Sequence, residues 1–504
     1  MKYILGIDLG TSAVKTVLFN SLGVVITSAS KEYPLYQPHN GWAEQDPNDW
    51  YQAAIETIKL VVNQANVAKE GIVSIGISGQ MHGLVMLDQF DQVIRKSIIW
   101  ADQRTEKECE ELTKKIGTKE LIEITANPAL TGFTASKILW VKNNEPNNFD
   151  KCYKILLPKD YLRYKLTGVF ATDYSDASGM QILDLKKRKW SDKIMKALSI
   201  NETMLPKLYD SYQVTGFLTD EMAKLMGLST NTSVVGGAGD NAAAAIGTTI
   251  INDKEGFLTL GTSGVLYIHT KEMMIDRLGR YHTFCSAIPN EYHVMGVTQG
   301  AGLSLQWIKN NFYNEEAKHS NNIYNYMFET TKEIPIGADK LLFLPYLMGE
   351  RTPHLDPNAR GVFFGLSAVH TKAHLTRAVI EGISYSMLDC LNLFRETHLN
   401  ISNLMIAGGG GKNAVWRQML ADILAVNIRT VQNEEGPALG VAILAAVGSQ
   451  IYPDIKTAVK QMVKINQAYQ QPELFNNVQY LQYYQVYQRL YQSLKKNFKE
   501  LSKL

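Results

Sequence analysis

Two segments of this chain, about half its length apart, repeat one short design. The first runs Tyr3-Ile4-Leu5-Gly6-Ile7-Asp8-Leu9-Gly10-Thr11-Ser12 into an apolar run from Val14 to Phe19. The second runs Phe257-Leu258-Thr259-Leu260-Gly261-Thr262-Ser263-Gly264 into Val265 to Ile268. Each reads as a strand, a tight Gly-Thr-Ser turn and a returning strand with alternating apolar residues. A glycine turn lets backbone N–H groups converge on an anion with no Cβ between them, and the hydroxyls add donors. One such hairpin is common in any protein with β-structure. Two, one per half, imply a duplicated fold that clamps a polyphosphate between its halves. Asp8 narrows the ligand, because a carboxylate beside a phosphate turn repels the anion unless a cation lies between them. The economical reading is ATP with Mg²⁺.

Size and charge fit that reading. A chain of 504 residues is long for one core and predicts two large units or about three of ~150 residues. The formal net charge of +2 supplies no global field for a nucleic acid or a membrane surface, so neither is expected as a partner. Four cysteines (Cys109, Cys152, Cys285, Cys390) lie far apart with no CxxC pair, which predicts reduced thiols and excludes a disulfide framework or a zinc site built from them. The N-terminus reads as a strand containing Asp8 rather than as a signal peptide. The longest apolar run, Ala438 to Val447, is well short of the ~20 residues that span a bilayer. These features predict a soluble cytoplasmic protein acting on small molecules. Oligomeric state is not legible, a homodimer being one of the states left open.

A polar break at Asn252-Asp253-Lys254-Glu255 divides the chain into lobes of residues 1–250 and 251–504, with a helical tail from about 455. In the first lobe a helix starts near Asp46-Pro47, and a buried strand, Ile72 to Ser78, runs straight into Gly79-Gln80-Met81-His82-Gly83. A second strand-like run, Ser97 to Trp100, leads to Ala101-Asp102-Gln103-Arg104. In the second lobe the strand Leu404 to Ala407 meets Gly408 to Gly411, with a helix following from Ala414. Tyr480, Tyr484, Tyr487, Tyr491, Leu494 and Phe498 fall at helical spacing, which reads as a helix packed back on the second lobe rather than a partner-binding face.

Gly236-Gly237-Ala238-Gly239-Asp240-Asn241 is the leading catalytic candidate. Glycines at the end of an apolar strand allow close backbone approach and aim Asp240 at the seam between the halves. Phosphoryl transfer demands little covalent help, but the accepting hydroxyl must be oriented and deprotonated, which a carboxylate within hydrogen-bond reach does. The alternative is an Asp that merely caps the following Ala-rich helix. Gln80, Met81 and His82 end a buried strand, where open α/β sheets bind ligands, and they offer a polyol donors, acceptors and an apolar floor. Trp100, Asp102 and Arg104 form a comparable cluster, although a Trp at a strand end also serves as core. Gly408 to Gly411 is no Walker A loop, since Ile406 and Asn413 stand where Gly and Ser or Thr are required. A strand, a glycine turn and a helix N-terminus still suit a nucleoside lying against bare backbone.

Two long patterns then point to a family. Gly132-Phe133-Thr134-Ala135-Ser136-Lys137, continuing to Asn144, and Gly361-Val362-Phe363-Phe364-Gly365-Leu366, continuing through His374 to Glu381, resemble the two signatures of the FGGY carbohydrate kinases. The resemblance covers essentially the whole chain. It implies an α/β fold of two actin/hexokinase-like (ribonuclease H-like) lobes with an interlobe cleft, and transfer of phosphate from ATP, with Mg²⁺, to a sugar. Gly79 to Gly83, Ile99 to Thr105 and Gly349-Glu350-Arg351-Thr352-Pro353-His354 resemble members acting on ketoses, which implies D-xylulose phosphorylated at its terminal hydroxyl. By the same resemblance Met81 and His82 contact the sugar, with Gln80, Trp100, Asp102 and Asn241 around it, and Asp240 is the base. Asp8 sits near Mg²⁺, usually through water. Thr11, Ser12, Lys15, Gly261 and Thr262 match phosphate-loop positions, and Gly302, Gly409, Gly410 and Asn413 the nucleotide side. Glycerol-type members carry a Tyr near Gly132 and an Arg-Glu pair at Met81-His82, both absent here. A gluconate acceptor would need a cation for its carboxylate, where the loop offers only His82. Another ketopentose, or a non-enzymatic ATPase on the same duplicated fold, completes the alternatives.

Overall fold

The computed structural model describes residues 2–320, 322–433 and 435–504. Two mixed sheets form the centres of two lobes. In the first, β1 (Tyr3–Leu9), β2 (Ala13–Asn20) and β3 (Val25–Glu32) make an antiparallel meander. β4 (Ile72–Gly79) lies parallel to β1, and β5 (Ser233–Val235) parallel to β4. In the second, β6 (Gly256–Leu260), β7 (Gly264–Thr270) and β8 (Tyr292–Thr298) repeat the meander. β9 (Asn403–Ala407) lies parallel to β6, and β10 (Asn427–Arg429) parallel to β9. Both sheets therefore read third, second, first, fourth, fifth, the duplicated order of the actin/hexokinase-like fold.

Local sequence explains the elements. The parallel strand β4 is almost wholly buried, as a strand covered on both faces must be, and its residues are correspondingly small or apolar. The crossover to it is α1 (Pro47–Ala65), whose first turn carries Pro47 and whose cap, Asp46, accepts the Asn48 N–H at 2.9 Å. Between β4 and the end of the first lobe lie α2 (Thr134–Asn144), α3 (Pro158–Thr167) and α4 (Asp240–Gly247). The second lobe adds α5 (Gly302–Phe312), α6 (Lys372–Glu396) and α7 (Ala414–Leu424).

The expected division at residue 250 is incomplete in space. Helix α8 (Gly436–Gly448) is buried on all sides and packs on the first sheet. A Cβ at Gly6 would stand 2.1 Å from the Ala438 carbonyl oxygen, and one at Gly76 would stand 2.0 Å from that of Val441. Glycine at these two positions lets helix and sheet backbones touch. α8 also crosses α4, so the two helices form the joint between lobes. The tail expected from about 455 divides as well. Helix Ile455–Met462 buries its apolar face with Ile4, Val17 and Phe19 of the first lobe. Only α9 (Leu474–Leu501) packs on the second lobe, through Tyr480, Tyr484, Tyr487 and Tyr491. Among the described residues no helix is long and apolar enough to cross a membrane.

Candidate active site

The end of β4 and the turn before α4 meet between the lobes. β4 delivers Met81 and His82, and the Ala238–Gly239 bridge pairs with Ser78–Gly79, which fixes Asp240 beside them. A Cβ at Gly239 would stand 2.9 Å from Met81 Cγ, so the methionine lies directly against the backbone preceding Asp240. Asp240 is the first residue of α4 and Gly239 occupies the cap position. One oxygen, Oδ1, accepts from the Asn241 N–H at 2.7 Å and from Asn241 Nδ2 at 2.9 Å. Among the described residues Oδ2 has no such partner, and it is the oxygen available to an acceptor. Burial pushes the Asp240 carboxyl up to about 6, against the pull of the Asn241 hydrogen bonds. Asn241 thus orients the acid whether or not it also meets the substrate.

His82 adopts a left-handed backbone, φ +68°, which an L-residue holds only under constraint. Two residues of α2 supply it: Thr134 Oγ1 and Lys137 Nζ donate to the His82 carbonyl at 3.1 and 2.8 Å. Lys137 is fully buried, also donates to the Gly132 carbonyl at 2.7 Å, and is pushed down to about 7 by desolvation. The His82 ring sits against Phe133 and, across the cleft, Phe284. Its Nδ1 lies 2.7 Å from the Gly179 carbonyl, which can only accept, so Nδ1 carries the proton. Burial lowers the ring to about 3. The imidazole is therefore neutral, with the Nε2 lone pair left as an acceptor for a hydroxyl.

Two residues expected at the sugar are placed elsewhere. Asp102 has no exposed surface: its carboxylate is held by Arg104, at 2.7 Å from Nη2, and by the Ala43 N–H at 2.6 Å. Trp42 stacks on that guanidinium, so Asp102 braces a buried ion pair and does not line the cleft. Gln80 is buried too, with Nε2 donating to Gln45 Oε1 at 2.8 Å, while Gln45 Nε2 donates to the Thr11 carbonyl at 2.7 Å. It supports the first phosphate turn from beneath. Trp100, by contrast, is no core residue. It is exposed on the cleft, and its indole N–H donates to Thr11 Oγ1 at 2.9 Å.

Asp8, at the end of β1, is half-buried, and among the described residues its buried Oδ1 has no hydrogen-bond partner. Burial first, then the Asp240 charge, pushes its carboxyl up to about 7, with Glu435 adding to the rise and Ser78 and Lys15 opposing it. An orphaned carboxylate oxygen between other carboxylates fits a nearby cation. Among the described residues no three His, Cys, Asp or Glu side chains converge to hold a metal. Ser12 is exposed on the turn. Lys15 is drawn across the joint to Glu435, 2.6 Å away.

On the second lobe, Gly261 and Thr262 form an exposed turn tied to the start of α5: Gly302 N–H donates to the Gly261 carbonyl at 2.8 Å, and Leu303 N–H to the Thr262 carbonyl at 3.1 Å. A Cβ at Gly302 would stand 2.3 Å from the Gly261 oxygen, so Gly302 shapes the turn. A Cβ at Gly409 would meet nothing within 4 Å, whereas one at Gly410 would stand 2.6 Å from Leu260. Gly409 therefore presents bare backbone to open space, while Gly410 packs inward. Asn413 caps α7, accepting the Val415 N–H at 2.9 Å.

Sequence reasoning missed Arg351. It reaches from the second lobe to the first, its Nη2 standing 3.4 Å from where a Cβ on Gly132 would be. Among the described residues no carboxylate pairs with its guanidinium at ion-pair distance, although Glu350 beside it is buried and accepts the Arg351 N–H at 2.7 Å. Its position in the Gly349–His354 motif was the available signal.

The pattern of the N-terminal domain of the FGGY family of carbohydrate kinases matches residues 3–247, and that of its C-terminal domain matches residues 256–449. The chain belongs to the FGGY family. A xylulose kinase of Bacillus subtilis (strain 168) is 41% identical over 491 residues, 97% of each chain. The structure of a ligand-bound xylulose kinase from Lactobacillus acidophilus superposes with a TM-score of 0.93 at 29% identity, covering 99% of this chain and 100% of that one. A gluconate kinase from the same organism gives 0.92 at 29% identity, covering 99% of both. An FGGY kinase needs an acceptor site and a nucleotide site facing each other; here the Met81–Asp240 cluster lies where β4 ends beside β1, and Phe284 of the second lobe meets His82.

Proposed function

We propose that this FGGY kinase transfers the γ-phosphoryl group of ATP to O5 of D-xylulose, giving D-xylulose 5-phosphate and ADP. The observation that carries the reading is the juxtaposition of a neutral, acceptor-bearing His82, an apolar Met81 and a singly anchored Asp240 at the end of one buried strand. Xylulose kinases that align over nearly the whole chain point to the same acceptor. Met81 and His82 seat the ketose, His82 Nε2 accepting from one of its hydroxyls. Asp240 Oδ2 takes the O5 proton as the oxygen attacks, and a carboxyl raised to about 6 is a stronger base than an ordinary Asp while still ionised at neutral pH. The turns at Thr11 and Thr262 hold the polyphosphate from opposite lobes, with Gly409 and Asn413 on the nucleoside side. Asp8 would hold Mg²⁺, which when bound neutralises phosphate charge that the carboxylates would otherwise repel. Closure of the lobes excludes water, the competing nucleophile. The four free thiols suit a cytoplasmic setting.

Arg351 favours one second reading. The argument against an aldonate such as gluconate was the lack of a cation, and Arg351 supplies one on the cleft wall. A panel of D-xylulose, other ketopentoses, gluconate and glycerol, with coupled ADP detection, decides between them. D-xylulose should give the highest kcat/KM; sugar-independent ATP turnover would return the chain to the ATPase alternative.

A further inference from the structure

Behind the proposed base lies a cluster of charged side chains with no exposed surface. α3 contributes Lys159, Asp160 and Arg163, and the segment around Ala171–Asp173 contributes Asp173, Ser175 and Asp176. Lys159 Nζ stands 2.7 Å from Asp160 Oδ1, 2.8 Å from Asp173 Oδ1 and 3.4 Å from Asp176 Oδ2, and Arg163 pairs with Asp160. Two cations face three carboxylates. The most loosely held carboxyl is Asp176: its contact with Lys159 is the longest of the three, among the described residues its oxygens make no hydrogen bond, and burial holds it well above the usual carboxylate range.

This cluster is attached to both turns that carry the chemistry. A Cβ on Gly79, where β4 ends, would stand 2.9 Å from Lys159 Cβ. Arg163 Nη1 donates to the Gly236 carbonyl, at the start of the turn leading to Asp240. Ser175 Oγ accepts the Gly239 N–H at 3.2 Å and donates to Asp173 Oδ2, which also accepts from Ser211 Oγ at 3.0 Å. The Ala238–Gly239 peptide, one before the peptide that carries the base, is thus fixed by a serine, the serine by an aspartate, and the aspartate by Lys159. Buried ion clusters are poor sources of stability, since apolar residues of similar volume often do as well. What such a cluster supplies is one geometry.

We propose that Lys159, Asp173 and Ser175 are positioning residues for phosphoryl transfer, setting the Gly236–Asp240 turn so that the Asp240 carboxylate meets the sugar hydroxyl held by the Met81 turn. The inference rests on Asp240 being the base. Ser175→Ala tests it with little change of volume. It should lower kcat by about 10- to 100-fold, the scale of a sub-ångström to ångström misplacement, with both KM values within about twofold. Asp173→Asn, which keeps the shape and removes the charge, should give the same split. In an Asp240→Asn background Ser175→Ala should lower the residual rate no further, because it acts through the missing base. A single Ser175→Ala variant with kcat within about twofold of wild type overturns the proposal. So does an undiminished effect in the Asp240→Asn background, which would mark a merely structural serine. Should Asp240→Asn itself stay active, the base assignment fails instead, and the two failures are told apart.

Discussion

The two Gly-Thr-Ser hairpins share a strand order, a parallel neighbour and a turn sequence, yet they differ in charge. In the first lobe, the residue two before the turn glycine is Asp8, cross-strand from Lys15, and β4 beside it leads into Met81 and His82. In the second lobe the matching residue is Thr259, and the neighbouring strand β9 leads into Gly408 to Gly411. One copy therefore brings titratable groups to the cleft and the other brings bare backbone. A nucleotide already carries its own charge and needs donors and space. A sugar hydroxyl must be made nucleophilic, and that needs a carboxylate. Duplication supplied one scaffold, and the division of labour is written in the residues at the strand ends.

The largest expected effect tests the charged copy. Asp240→Asn should lower kcat by about 10²- to 10⁴-fold, the usual contribution of a general base, while both KM values change little. Retention of more than about a tenth of wild-type kcat would reduce Asp240 to a helix-start residue. The pH profile sharpens the assignment. A base must be deprotonated, so with its carboxyl raised to about 6 the rate should fall about tenfold per pH unit below pH 6. His82, lowered to about 3, stays neutral through that window, but Asp8, raised to about 7, protonates within it, so the limb that assigns the base is the one Asp240→Asn removes and Asp8→Asn keeps.

His82→Ala separates the lobes by substrate. Deleting a buried hydrogen-bond partner leaves a sugar hydroxyl unpaired, a loss of about 1–3 kcal/mol, so KM for D-xylulose should rise about 10- to 100-fold with KM for ATP nearly unchanged. A lowered thermal midpoint with unaltered xylulose KM would make His82 structural, a supporter of the loop that Lys137 and Thr134 already grip.

How much of this was legible beforehand follows the range of the interactions. The hairpins, the start of α1 near Asp46-Pro47 and the Tyr stripe of α9 are local patterns, and all were readable. Packing of α8 on the first sheet was not, because nothing in an all-apolar helix names its partner. The same holds for Asp102, which reads as a cleft acid until the Arg104–Trp42 stack closes over it, and for Gln80, whose partner Gln45 lies on another strand. Lys159 and Asp173 look like surface charges in sequence, and their burial depends on a cluster assembled from separate elements. Gly302 and Gly410 were expected to meet the nucleotide, but a missing Cβ serves backbone packing as readily as ligand approach.

Thr259→Asp would give the second hairpin the charge of the first. If the lobes are specialised as argued, a carboxylate there repels the polyphosphate without a cation placed to offset it, and KM for ATP should rise about tenfold with the xylulose KM unchanged. An unaltered ATP KM would break the comparison, since the second turn would then be remote from the phosphates.

The smallest effect concerns the ion pair between the charged copy and the start of the joint helix, Lys15 to Glu435, separated by 420 residues. Both side chains are partly solvated, 42% and 22% exposed, so the pair itself contributes only about 0.2–1 kcal/mol. Glu435→Gln should therefore move the thermal midpoint by no more than about 2–4 °C. Its effect on binding is of opposite sign. Lys15 is released toward the first turn, and a negative charge that pushes the Asp8 carboxyl up is removed. KM for ATP should fall, by up to about fivefold if the whole pair energy is recovered. A rise in KM for ATP would instead assign Glu435 to the nucleotide–metal site. No change at all would take Lys15 out of the phosphate loop, leaving that hairpin to hold phosphate with its backbone and hydroxyls alone, as its uncharged counterpart does.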